Sequence, residues 1–461
     1  MNWTLVLTAG LPEHSLLLGI LTLVALEIYG RKPKAALWVS LAAVYAALCA
    51  AIGLSLEGYT AAPFPGQLSV APPAFVAKAI LMGLAIPVLL ISREDFADRQ
   101  FHILVLSALY GGSLMVSADS FMTLFLGIEM LSLPVYVLVL LAFRRPQSAE
   151  AALKYLVLGG AASAMLLMGA SLLYGWSGSL DLSEFARAIA SRDGLATAGA
   201  LFVLLSFMLK AAIVPFHAWA PDAYEGASVP VTAFMATIVK ASVLLAAVRL
   251  FGNATLSAPM AAVVAVLPLA SIVWGNLAAI RQEGLRRMIA YSSIAHAGYL
   301  FYALLGLPET RYEAVAFYVL VYGVMNILAF ASLPPSPDDA TRDRLENLKG
   351  LFHRRPYAAS AIAIAMLSLA GLPPFPGFIA KFLIFSNVVA AGYTLYAVLG
   401  LVGSYVGIYF YLRIVQYMFM GDAPQPARSG LGSLAIGAGA ICLAAGLVMA
   451  VLPGWVLSLL R

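Results

Sequence analysis

The stretch Phe207-Met-Leu-Lys-Ala-Ala-Ile-Val-Pro-Phe-His-Ala-Trp219 sets a lysine, Lys210, inside an apolar run and follows it with Pro215, His217 and Trp219. Its meaning depends on the solvent around that lysine. Of 461 residues, 62% are hydrophobic and 11% charged, with a mean hydropathy of +0.93; soluble domains are only about half apolar. Apolar runs of about 17 to 30 residues recur from end to end between short polar breaks, long enough to cross a bilayer as helices. The chain therefore reads as one polytopic, all-α membrane protein without a soluble domain. The formal charge of +5 does not point to nucleic acid, because the basic residues sit in short loops where orientation in the membrane accounts for them. Cys49 and Cys442 are the only cysteines, far apart, so no Cys-x-x-Cys spacing for zinc or an iron–sulfur cluster exists. No basic n-region precedes the first apolar run, which is expected to stay as a transmembrane helix.

Bounded by Gly, Pro and charge, the runs give 14 candidate helices, at about 9–29, 35–55, 74–92, 101–118, 120–143, 150–176, 195–219, 229–251, 258–280, 287–306, 312–333, 358–388, 394–419 and 434–458. The loops after odd-numbered helices hold Arg31, Lys32, Lys34, Arg93, Arg99, Arg144, Arg145, Arg281, Arg286, Arg287, Arg342, Arg344, Lys349, Arg354, Arg355 and Arg428. The opposite side holds Arg187, Arg192, Arg249, Arg311 and Arg461. This asymmetry predicts the first set in the cytoplasm and both termini outside, in a multi-pass protein of the cell inner (plasma) membrane.

The segment Pro215-Phe216-His217-Ala218-Trp219 is echoed by Pro374-Phe375-Pro376-Gly377-Phe378, at an offset of 159 residues, close to the spacing of the fourth and ninth helices. Two five-helix units, helices 4–8 and 9–13, are expected, and an odd helix count inverts the second relative to the first. The expected organisation is a three-helix segment at 1–100, repeats at 101–257 and 258–420, and a last helix at 421–461. Each unit carries a proline-interrupted helix, the seventh at Pro215 and the twelfth at Pro373, Pro374 and Pro376. In lipid the carbonyls freed by proline need protein or water partners, so such breaks point to a hydrated interior.

Ionisable residues well inside spans are Glu129, Lys154, Lys210, Lys240, His296 and Lys381. A charge at a helix centre costs roughly 2.5–3.5 kcal/mol on insertion scales. At about 1.5 Å per residue, Glu129, Lys210, Lys240 and His296 all fall near half-height, a layer that no packing requirement of a bundle demands. Two readings stand for Lys154: a relay, or a snorkelling side chain paired with Glu150 four residues before it. His217 reads either as a relay or as donor to a carbonyl freed by Pro215, and His296 as a relay or a satisfied core histidine. Lys78 and Arg413, near helix ends, read as snorkelling anchors. A lysine taken out of water loses proton affinity and a nearby carboxylate restores it, so Glu129 and Lys210 have the chemistry of a proton switch. Lysines are not metal ligands, and no metal is expected.

The runs Glu150-Ala-Ala-Leu-Lys-Tyr-Leu-Val-Leu-Gly-Gly, Phe207 through Ala227, and Arg287-Met-Ile-Ala-Tyr-Ser-Ser-Ile-Ala-His-Ala-Gly-Tyr resemble the antiporter-like subunits of respiratory complex I (NADH:quinone oxidoreductase) over nearly the whole chain. Asp222-Ala-Tyr-Glu-Gly-Ala, Pro230-Val-Thr-Ala-Phe-Met-Ala-Thr and Lys381 look most like the family's N-type branch. Ser228 stands where that branch would have proline. The resemblance implies a non-redox proton-pumping subunit in which Glu129, Lys210, Lys240 and Lys381 carry protons, with Lys154, His217 and His296 as auxiliary relays. It also implies no cofactor in this chain, with flavin, iron–sulfur clusters and quinone in partner subunits. The implied neighbours are an M-type antiporter-like subunit, small K/J-type subunits and lipid. Subunits of multi-component cation/proton antiporters or membrane-bound hydrogenases share the broken helices and lysines and form the alternative.

Overall fold

The computed structural model describes residues 3–30, 34–93, 99–142, 145–252, 254–335, 342–420 and 431–461. Four of the basic loop residues, Arg31, Lys32, Arg144 and Arg428, lie outside the described residues. The transmembrane elements run in order as α1 (Leu11–Ile28), α2 (Lys34–Leu56), α3 (Pro72–Ile91), α4 (Arg99–Ser117), α5 (Phe121–Leu141) and α6 (Pro146–Ser177). Then come α7a (Gly194–Lys210) and α7b (Trp219–Gly226), and α8 (Val229–Phe251), which contains a π-helical turn at Met235–Val239. The remainder are α9 (Ala258–Ala279), α10 (Leu285–Tyr302), α11 (Pro308–Ala331), α12a (Pro356–Ala370), α12b (Pro376–Ala390), α13 (Thr394–Met420) and α14 (Ser433–Val451).

Among the described residues, 12 helices are long and apolar enough to cross a membrane, or 13 if Ser183–Ala190 and Gly194–Lys210, bent by 120°, count as one. The count of 14 expected from the sequence is not reached by this measure. The reason is local: the seventh and twelfth segments are each divided at their prolines, leaving α7a at 17 residues and α12a and α12b at 15 each. The seventh segment also runs on past Trp219 to Gly226. Unforeseen were the short lateral helix Ser183–Ala190 and an antiparallel hairpin, β1 (Ala61–Phe64) with β2 (Leu68–Val70).

The two breaks share a backbone pattern at the offset of 159 residues. Ile213 N–H bonds to the Met208 carbonyl (2.8 Å) and Leu372 N–H to the Leu367 carbonyl (3.2 Å); Phe216 N–H bonds to Ile213 and Phe375 N–H to Leu372. Ala212 (φ +63°) and Gly371 (φ +83°) are both left-handed, and Val214–Pro215 and Pro373–Pro374 are both cis. The Met208 and Leu367 carbonyls thus take the N–H five residues on, where a continuous helix would pair them four on, and so stay bonded at the break, where lipid offers no donors.

The helices are apolar all round, as buried or lipid-facing helices are, and position in the bundle decides which. α8 is wholly buried within the chain and α10 and α11 nearly so. α1, α6, α13 and α14 turn Leu18, Leu21, Leu153, Val157, Val402, Tyr405 and Leu447 outward. The helices carrying Lys240 and His296 are thus the innermost ones, screened from lipid by the others.

One expectation fails in an instructive way. Lys78 is not a snorkelling anchor: α3 is largely enclosed, and the amine, 1% exposed, pairs with Glu13 at 2.7 Å while Ser113 donates to the same carboxylate at 2.6 Å. Arg413, half-buried, donates to the Ile280 carbonyl at 2.6 Å, at the end of α9. Two of the basic residues on the sparsely charged side are held by backbone carbonyls. Arg249 donates to the carbonyls of Val116, Ala118 and Ser69, and Arg311 to those of Gly252, Ala254, Leu304 and Gly306. Both guanidiniums clip loops together.

Candidate functional site

The first cluster forms where α5, α6 and α7a meet. Lys210 is the last residue of α7a, and the break immediately after it lets its amine turn inward. Its Nζ donates to Ser132 Oγ (3.1 Å) and lies 3.4 Å from Tyr136 Oη, both on α5. Glu129, one turn before Ser132, keeps Oε1 3.8 Å from Nζ, an ion pair beyond direct hydrogen-bond length. The same Oε1 accepts from Ser163 on α6. Tyr136 meets Tyr155 edge-on at 4.5 Å, and Tyr155 stacks on Trp219 at 4.3 Å; the Trp219 indole donates to the Leu209 carbonyl at 3.2 Å, at the end of α7a. The aromatic run therefore ties the lysine's surroundings to the half-helix beyond the break.

The second cluster surrounds α10. Lys240 follows the π turn of α8, a distortion that recurs at functional positions in helices, and its Nζ donates to the Ser293 carbonyl (2.6 Å) and to Ser293 Oγ. Tyr224 Oη on α7b lies 3.3 Å from the same hydroxyl. One turn on, His296 has Nε2 3.0 Å from Tyr411 Oη and Nδ1 2.8 Å from Tyr318 Oη, and Tyr411 Oη is 2.5 Å from Ser292 Oγ. A further turn along, Tyr299 lies under Lys381, whose Nζ is 5.1 Å from the ring centroid. Lys381 Nζ donates to Ser404 Oγ (2.9 Å) and to the Ala370 carbonyl (2.9 Å), one of those released at the end of α12a. Residues 292, 293, 296 and 299 share one face of α10, so this helix is the backbone of a polar track from Lys240 to Lys381.

The expected residues do not all join that track. No hydrogen bond among the described residues connects Lys210 directly to Lys240. Lys154 lies off the row: its side chain is 45% exposed and pairs with Glu150 and Asp222, each at 2.7 Å. Arg287 joins this group through Asp222 (2.9 Å) and Glu225 (2.7 Å), at a cavity of about 410 Å³ that Glu150, Lys154, Asp222 and Glu225 line. His217 sits half-buried in the seventh-helix break, its ring edge-on to Trp274 at 6.1 Å. Pro215, Pro373 and Pro374 are exposed on the periphery, whereas Pro376 is buried at the start of α12b. No group of three or more metal-ligating side chains occurs among the described residues.

Sequence reasoning missed the hydroxyls: Ser132, Tyr136, Ser163, Ser292, Ser293, Tyr299, Tyr318, Ser404 and Tyr411. A usable signal existed for some of them. Ser132 and Tyr136 lie three and seven residues after Glu129, and Ser292, Ser293 and Tyr299 lie within four of His296, the spacing of one helix face. A lysine, a histidine and hydroxyls in mutual reach can pass protons, each accepting one as it gives up another; nothing in the arrangement resembles a nucleophile–base pair.

A family model described as NADH:quinone oxidoreductase/Mrp antiporter, TM, matches residues 118–407. The chain is 40% identical over 422 residues to NADH-quinone oxidoreductase subunit N of Pelobacter propionicus, covering 91% of both proteins. It is 36% identical to subunit N of Granulibacter bethesdensis, covering 92% of this chain and 91% of that one. A chain of respiratory complex I from Thermus thermophilus, solved with bound aureothin, superposes with a TM-score of 0.86 at 35% identity, covering 97% of this chain and 98% of that one. The Mrp complex from Dietzia sp. contains a chain with the same fold, TM-score 0.86, at 22% identity.

Proposed function

The chain belongs to the NADH:quinone oxidoreductase/Mrp antiporter transmembrane family, and from that premise we infer that it is the N-type, proton-translocating membrane-arm subunit of a bacterial respiratory complex I. The observation that carries the mechanism is the sequence of buried contacts from Lys240 through Ser293 and the His296 surroundings to Tyr299 and Lys381, preceded by the loosened Glu129–Lys210 pair. Electron transfer in partner subunits, which hold the flavin, iron–sulfur clusters and quinone, drives a change in that pair. With Glu129 near, the Lys210 ammonium is held; with Glu129 away, its proton moves toward Lys240. Lys381 receives the proton in the second, inverted unit and releases it outward. The exposed Lys154–Asp222–Arg287 group collects protons at the face bearing the basic loops. An M-type antiporter-like subunit and the small K/J-type subunits are the proposed neighbours.

Glu129→Gln, which keeps the side chain's shape and removes its charge, is expected to cut the proton yield of the purified, reconstituted complex by roughly tenfold or more, the scale of a lost charged partner in a buried pair, while the subunit still assembles. Wild-type pumping by the assembled variant removes the pair from the mechanism.

The charge asymmetry places the basic loops in the cytoplasm. Lys349→Cys, at an exposed site in one of them, is expected to react with an impermeant thiol reagent from the cytoplasmic side, and Glu57→Cys, exposed after α2, from the outside. Reversed labelling inverts the orientation.

A further inference from the structure

We propose that Ser163 is a positioning residue for the Glu129–Lys210 pair, a hydroxyl latch that holds the carboxylate away from the amine; the proposal rests on the switch reading above. The argument starts from the single oxygen that two groups contest. Glu129 Oε1 accepts the Ser163 hydroxyl and stands 3.8 Å from Lys210 Nζ, too far for a hydrogen bond. The amine is not left orphaned, because Ser132 and Tyr136 hold it. In the loosened arrangement the amine and Glu129 Oε1 therefore both have partners.

The opposite arrangement is partnered as well. Ser163 Oγ also lies 3.2 Å from the carbonyl of Gly159, one turn back on α6. When Glu129 closes on Lys210, the serine keeps a bond by turning its hydroxyl wholly to that carbonyl. Buried polar groups left without partners are costly, and in neither position of the carboxylate is the serine hydroxyl left without one. Two satisfied arrangements with a small motion between them are what a bistable element requires. Ser163 itself is 7% exposed and the Glu129 side chain 23%.

α6 supplies the frame for this latch. Its residues 155, 159 and 163 follow one another at four-residue spacing on one face. They meet in turn Tyr136 and Trp219, the Tyr136 hydroxyl, and Glu129. The residue that sets Glu129 is thus on the same rigid ridge that seats the alternative acceptor of Lys210. Displacing the ridge changes both ends of the pair together.

The test uses the complete, reconstituted complex and reads proton yield beside redox turnover. Ser163→Ala is expected to leave the subunit assembled and to lower proton yield by about tenfold, the weight of a hydrogen bond to a charged group. Ser163→Cys, similar in volume but a weak donor, is expected to follow it. Combined with Glu129→Gln, Ser163→Ala is expected to add nothing, because the latch acts only through the carboxylate. Wild-type proton yield in both single variants, or losses that add in the double variant, overturns the latch. An effect of Glu129→Gln with none of Ser163→Ala leaves the switch and removes only the latch, whereas no effect of Glu129→Gln removes the switch itself.

Discussion

Lys381→Arg is expected to leave the subunit folded and assembled while slowing proton translocation roughly a hundredfold, the lower end of what a proton-transferring side chain contributes. The contacts of Lys381 are ones a guanidinium can make: it can donate to the Ala370 carbonyl and to Ser404, and lie over the Tyr299 ring. A cation placed only to satisfy the broken end of α12a would tolerate the exchange. A relay would not, because arginine keeps its proton throughout the physiological range. Proton pumping by reconstituted complex, with redox turnover recorded beside it, is the measurement. An unchanged rate and yield in the arginine variant would rule Lys381 out as a relay.

Gly159→Ala is expected to destabilise the subunit by about 1–3 kcal/mol, as overpacking does, and to impair pumping with it. A Cβ at Gly159 would fall 1.9 Å from Tyr136 Oη and 2.8 Å from its Cζ. The ring has little freedom to retreat, since Tyr155 packs against it and Lys210 uses its hydroxyl. Gly160, the next residue, has nothing within 4 Å of a Cβ. Gly160→Ala is therefore expected to be neutral or to stabilise α6 by up to about 1 kcal/mol, the helix-propensity difference between the two residues. Thermal unfolding of the assembled complex compares the two directly. Equal behaviour of the two variants would mean that Tyr136 does not hold Lys210 as described.

By itself the sequence determined the class of the protein and the sites where charge enters the membrane, because both are set by local properties. A run of apolar residues must become a helix in lipid, where every backbone group needs an internal partner. Helices break near Pro215 and at 373–376, whereas Pro87, Pro134 and Pro268 lie inside continuous helices, so a proline marks a possible break and does not by itself impose one. The cost of an intramembrane charge singles out Glu129, Lys154, Lys210, Lys240, His296 and Lys381 from the sequence alone. Depth along a helix also follows from counting residues, and the pairing of Glu129 with Lys210 agrees with the shared height read that way.

Only the tertiary structure decided which way each side chain faces and what it meets. Lys78 has the spacing of a snorkelling residue, yet it is not one, because the enclosure of α3 is a product of packing between distant segments. Lys154 makes the exposed pair with Glu150 that its four-residue spacing allows, but its second partner, Asp222, is 68 residues away and comes only from the fold. The hydroxyls that link the charges carry no signal of their own, since serine and tyrosine are common in membrane helices and become polar partners only where two helices bring them opposite a lysine or histidine. Ser163 and Glu129 are 34 residues apart, on different helices whose relative rotation no sequence period encodes. Close packing of small residues between helices sets that rotation, so the route of the proton through this chain belongs to the bundle and not to any one of its segments.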